Sequence, residues 1–162
     1  MSYNLIVVFR EIEHTADRAI EIEAETLEGL FQEAVAALST LYSGEEPVKL
    51  HPHLLLPPRR GRIKVRGKGN SYAVKISVRA DDLEGLLVGF LNEVIFHTER
   101  KRVLFTSAGV KIKEKAGAGY SLTAELFNGK ITPLSEVKSA TYHNLKVEKR
   151  DGKWHTMIVF DV

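Results

Sequence analysis

Asp161 ends the apolar run Met157–Phe160 and stands one residue from Val162. A carboxylate in such surroundings is costly to bury alone. With the α-carboxylate of Val162 beside it, two negative groups lie close enough to invite a cation. Asp17, in "EHTAD" (13–17), likewise interrupts two strand-like runs. Brought alongside Asp161, it would complete three carboxylates, an oxygen-only donor set that suits Ca²⁺, Mg²⁺ or Mn²⁺. The same residues also read as a turn aspartate capping local backbone and a frayed C-terminus. His14, and His143 in "TYHNL", are the remaining polar groups in apolar settings. The expected task of His14 is to hold the turn that presents Asp17.

Other chemistries find little support. Cysteine is absent, so there is no disulfide framework, thiolate nucleophile or Cys-based zinc or iron–sulfur site, and a reducing cytoplasm fits. Gly61 and Gly67 are separated by five residues and Lys68 is followed by Gly69, which breaks the phosphate-loop pattern. No G-x-S-x-G elbow occurs. His51 and His53 in "HPH" lack a third spaced ligand. Clustered carboxylates alone would also be compatible with a metal-dependent phosphoesterase, although no base or second metal site stands out.

The elements that must position the two aspartates show in the periodicity. "LIVVF" (5–9) and "AIEIEAE" (19–25) read as strands, the second alternating Ile20, Ile22 and Ala24 with Glu21, Glu23 and Glu25. Thr26 can cap a helix whose stripe is Leu27, Leu30, Phe31, Ala34, Leu38 and Leu41. The unit returns 56 positions on without a gap: "IEIEAETLEGLF" (20–31) and "ISVRADDLEGLL" (76–87) share six of twelve residues. Asp82 stands where Thr26 caps, and Ala73 where Asp17 stands. The two related strand-helix units are expected to pack side by side on one sheet.

From residue 102 the pattern becomes strands separated by turns: "GAG" (117–119), Asn128-Gly129 as a hairpin signal, and Asp151-Gly152 closing a final hairpin. A two-residue turn at Asp151-Gly152 pairs residues whose numbers sum to 303, so without a bulge Asp161 faces Tyr142 and His143 faces Phe160. The whole predicts one α+β domain over 1–162, with a mixed or antiparallel sheet, two strand-helix units and C-terminal hairpins.

Residues 43–70 form an excursion holding four of the five prolines. Within it, 59–68 carries six Lys or Arg and no acid, the composition of a surface meeting a phosphate backbone or an acidic protein, or of a charge-protected edge strand. Net charge over the 162 residues is only +2, so the local patches decide more than the sum. The absence of a basic leader and of any apolar run near 20 residues predicts a soluble chain with no membrane partner.

"EHTADRAI", "TLEGLFQEAVAAL", "DDLEGLLVGFLNEVIFHTE", "KSATYHNLKV" and the terminal "FDV" together resemble the archease family, in the family's order and over nearly the whole chain outside 43–70. The resemblance implies a small α+β activator of RtcB-type RNA ligases in tRNA splicing and RNA repair, not itself an enzyme. It also implies a link to protecting a tRNA cytosine methyltransferase from aggregation. A divalent cation would be held by the residues matching the family's ligands, Asp17, Asp161 and Val162. Asn144 stands where the family commonly has an acid, and Val162 where it often has Ile.

Overall fold

The computed structural model describes residues 9–11, 17–44, 73–129, 133 and 135–162. The excursion beyond Gly44, with His51, His53 and the basic stretch, and the segment 12–16 with His14 lie outside the described residues. The elements run β1 (Phe9–Glu11), β2 (Asp17–Ala24), α1 (Leu27–Ser43), β3 (Ala73–Ala80), α2 (Leu83–Lys101), β4 (Phe105–Glu114), β5 (Tyr120–Asn128), β6 (Ser139–Thr141), β7 (Val147–Arg150) and β8 (Lys153–Asp161). This is the α+β composition expected, with every described strand pair antiparallel.

Both helices start as the sequence predicts. Thr26 Oγ1 accepts from the Gly29 N–H at 3.0 Å, and Asp82 Oδ1 from the Gly85 N–H at 2.6 Å. These side-chain oxygens satisfy donors that a helix start leaves free. They also explain the glycine of each "LEG": a Cβ on Gly29 or Gly85 would lie 2.9 Å from the capping oxygen.

The two units do not share a sheet, contrary to expectation. β2 lies in a five-stranded sheet ordered β1-β2-β8-β6, with β7 also pairing β8, whereas β3 lies in a three-stranded sheet ordered β3-β5-β4. The reason is visible in α1, whose residues Ala34 through Tyr42 are all buried, far more than a single stripe. A helix apolar on so many sides needs cover from two layers. It packs on β4 of one sheet and on β2 and β8 of the other. Its buried hydroxyls close on their own helix, Ser39 to the Ala36 carbonyl and Thr40 to the Ala37 carbonyl, both at 2.7 Å.

Phe31 and Phe90 meet between the helices with ring centroids 5.8 Å apart, joining the two halves of one core. Trp154 packs half-buried against this core.

Two turns differ in outcome. Asp151 (φ 49°) and Gly152 (φ 83°) both take the left-handed conformations of a tight hairpin, and β7 pairs β8 in the expected register of 303. Among the described residues Asn128-Gly129 closes no hairpin. Asn128 stays in β5 opposite Phe105, and the Gly129 N–H donates to the Leu104 carbonyl at 2.9 Å, prolonging the β4–β5 ladder. Neither residue adopts the positive φ that such a turn needs. The "GAG" turn does close the β4–β5 hairpin, with Gly117 and Gly119 at positive φ.

Candidate functional site

The β2–β8 ladder sets Asp17 directly opposite Asp161. In an antiparallel pair, opposed side chains stand on one face with Cα atoms roughly 4.5–5.5 Å apart. The fold therefore brings together the two aspartates that the sequence singles out. Asp17 is exposed and Asp161 half-exposed, so their charges remain in contact with water.

On its other side Asp161 faces Ser139 of β6, not Tyr142. This corrects the simple hairpin register. Five residues, Tyr142 to Lys146, oppose only Met157 and Ile158, because the chain turns there: the Leu145 N–H donates to the Tyr142 carbonyl at 3.2 Å, and Asn144 takes φ 51°. Phe160 consequently faces Ala140, and His143 lies exposed in the turn, with its ring Nε2 3.1 Å from Asn144 Nδ2. His143 is not brought to Asp161.

A residue that the sequence reading passed over occupies the site instead. Lys138 Nζ donates to the Val162 carbonyl at 3.1 Å and lies 3.5 Å from Asp161 Oδ1, while the Lys138 N–H donates to the Asp161 carbonyl at 2.8 Å. Lys138 is the first residue of "KSATYHNL", but only its register against β8 reveals the contact.

The segment carrying Lys138 is anchored from three sides. The Tyr42 hydroxyl donates to the Val137 carbonyl at 3.4 Å, and Ser135 hydrogen-bonds the end of α1 through its N–H to Tyr42 and its hydroxyl to Leu41. Burial first, and the charge of Glu99 second, push the Tyr42 hydroxyl well above its ordinary pKa, so it stays a donor. From α2, Asn92 clasps β6 by accepting from the Ala140 N–H at 2.9 Å and donating to the Ala140 carbonyl at 3.3 Å. The Ser139 row is thus fixed by the core.

Along the same face, acids continue. His155 Nε2 lies 2.9 Å from Glu23 Oε2 and its Nδ1 3.6 Å from Glu21 Oε1. Lys153 pairs with Glu23 and lies 3.9 Å from Glu25. The Lys153 ammonium hydrogen-bonded to Glu23 holds that carboxyl below the usual range; burial opposes the shift and His155 adds to it. The alternation of Glu21, Glu23 and Glu25 was legible, but their basic partners sit 130 residues away in sequence.

The oxygens around Asp17 and Asp161 suit a hard cation. The facing carboxylates, the neighbouring Ser139 and the Val162 main-chain oxygen offer oxygen only, and a metal ion there would have to displace the Lys138 ammonium from Asp161 and Val162. Among the described residues no three His, Cys, Asp or Glu side chains form an ion-holding group.

The Archease protein family (MTH1598/TM1083) matches residues 9–57 and 59–162. This chain belongs to the archease family. The archease of Methanopyrus kandleri is 33% identical over 158 residues, covering 95% of this chain and 99% of its own. That of Pyrococcus furiosus is 30% identical over 156 residues, covering 93% and 95%. The solution structure of protein 1598 from Methanobacterium thermoautotrophicum aligns with a TM-score of 0.65 at 22% identity, over 95% of this chain and 98% of that one. An archease from Thermotoga maritima, described as a possible chaperone, aligns with a TM-score of 0.55 at 22% identity, over 94% and 96%. In this chain the Asp17–Asp161 pair stands at the end of the β2–β8 ladder, beyond the buried Ala19–Val159 pair on the same face. Among the described residues no helix is long and apolar enough to cross a membrane.

Proposed function

We propose that the chain is a cytoplasmic activator, without turnover of its own, of an RtcB-type RNA ligase in tRNA splicing and RNA repair, promoting guanylylation of the ligase. Family membership supplies the partner class. The observation that carries the local chemistry is the register opposing Asp17 to Asp161. In this reading Asp17, Asp161 and the main-chain oxygens of Val162 hold a divalent cation, Ca²⁺, Mg²⁺ or Mn²⁺. When bound, such an ion supplies charge neutralisation for nucleotide phosphates.

The chain's own residues provide the frame. β2 and β8 fix the spacing of the two carboxylates, Asn92 and Tyr42 steady the strand bearing Ser139 and the segment bearing Lys138, and the exposure of Asp17 leaves the pair open to a docked partner. A guanylylation and ligation assay with folded Asp17→Ala and Asp161→Ala proteins tests the reading. Stimulation should fall sharply with either, and undiminished stimulation with both would remove the metal role.

A second reading, chaperone-like protection of a tRNA cytosine methyltransferase, is favoured by the description of the Thermotoga maritima relative and by the exposed Phe96 and Tyr142. There, suppression of aggregation should persist in chelator and in both aspartate variants. A phosphoesterase role predicts hydrolysis of generic phosphate esters with Mg²⁺ or Mn²⁺, and its absence discards that role.

A further inference from the structure

The outer face of the three-stranded sheet has the opposite character to the aspartate site. Its edge strand β3 presents Lys75 and Arg79, and its other edge β4 presents Lys111 and Lys113, all four exposed. Among the described residues none of the four has a carboxylate within ion-pair distance, although Glu125 stands opposite Lys75 in the ladder. Lys138, Lys153 and Arg150 on the larger sheet are all paired.

Between the two basic edges runs β5, whose outward residues make the floor: Ser121 lies in the row of Arg79 and Lys113, Thr123 in the row of Ser77 and Lys111, and Glu125, the one acid, in the row of Lys75 and Gly109. The edges are two strand spacings apart, roughly 10 Å. An open groove of about 970 Å³ lies over part of this face, lined by Lys75, Ser77, Lys111, Thr123, Glu125 and Phe127. At one end Phe127 spreads beside Gly109, where an added Cβ would sit 3.8 Å from the ring.

From this placement we propose that the β3-β5-β4 face binds single-stranded RNA, its backbone between the two basic edges and a base stacked on Phe127. Unpaired cations on both sides complement a phosphate chain. Floor hydroxyls can donate to phosphate oxygens or meet a ribose 2′-OH. A protein partner fits less well, because stable protein interfaces need a desolvated apolar centre and this face offers one ring. The proposal does not rest on the ligase reading, and its test contains neither ligase nor divalent cation.

The measurement is fluorescence anisotropy of a labelled oligouridine of about 12 nucleotides, a length on the scale of a single-strand site, titrated with the full chain between low and moderate KCl. Saturable binding is expected, weakened at least tenfold in Lys75→Glu/Lys111→Glu and about fivefold in Phe127→Ala. Lys75→Gln/Lys111→Gln should flatten the salt dependence by about 1.4, at about 0.7 per phosphate contact. Asp17→Asn should bind as the parent does. The proposal is overturned by no saturable binding at low salt or by unchanged binding in the reversal variant. It is equally overturned if binding is lost only when Arg62, Lys64, Arg66 and Lys68 are neutralised, or if polyglutamate competes as well as RNA does, which would point to an acidic protein.

Discussion

Asp17, Ala19, Glu21 and Glu23 line the outward side of β2; the positions 56 residues on, on the outward side of β3, are Ala73, Lys75, Ser77 and Arg79. The inward positions hardly change: Ile20 and Ile22 correspond to Ile76 and Val78. Both copies keep the capped helix, the "LEG" turn and the apolar side, because core packing and the cap constrain them alike. The other faces differ in charge: on β2 Asp17, Glu21 and Glu23 flank the buried Ala19, and on β3 Lys75 and Arg79 flank Ser77. A net charge of +2 conceals a larger sheet in which Glu23 and Glu148 are paired within the fold and a smaller sheet whose Lys75, Arg79, Lys111 and Lys113 are not, among the described residues.

If the acidic face is the cation site, the double variant Asp17→Asn/Asp161→Asn should lower divalent-ion affinity by at least about a thousandfold, about 4 kcal/mol at 1.4 kcal/mol per decade. Calorimetric titration would check this, and Lys75→Glu/Lys111→Glu should leave the affinity unaltered. Equal losses in both would dissolve the contrast between the faces.

The helices offer a further comparison. Glu33 of α1 corresponds to Gly89 of α2, where a Cβ would lie 3.0 Å from Val78 Cγ1. Gly89→Leu should therefore separate α2 from β3 and cost about 3 kcal/mol, read from the urea midpoint. Asn92→Ala, which strips both partners from the Ala140 backbone, should cost about 2 kcal/mol and also weaken cation binding by loosening the Ser139 row.

Glu33 gives the smallest effect, with opposite sign. Its Oε2 is buried without a hydrogen-bond partner, and burial raises the carboxyl pKa. The ionised form is disfavoured in the fold, so its cost is complete above the folded pKa and absent below the unfolded one, about 4.3. Glu33→Gln should stabilise by about 1 kcal/mol at pH 7, and the gain should vanish as pH falls to about 4. A gain independent of pH would assign the effect to something other than ionisation.

Local features were legible in the sequence: the caps at Thr26 and Asp82, the alternation of β2 and the Asp151-Gly152 turn depend on neighbours a few residues apart. The two aspartates stood out because carboxylates at apolar strand ends are unusual. What stayed hidden is set by distant partners. Nothing in the periodicity of α1 says which sheets cover it, and the three extra residues between Thr141 and Val147 turn on one positive φ at Asn144. Lys138 was invisible for the same reason, since its meaning comes from a strand that follows it by more than twenty residues.

The position of β8 has a consequence for synthesis. This strand, the last in the chain order, is the middle strand of the larger sheet, flanked by β2 on one side and β6 and β7 on the other. Asp17 and Asp161 are separated by 144 residues, which at roughly 5–20 residues per second is about 7–30 s of translation. Throughout that interval β2 has an unpaired edge and its aspartate no companion, while the smaller sheet can already close. The nascent chain thus exposes its basic face, complete, before its acidic one exists.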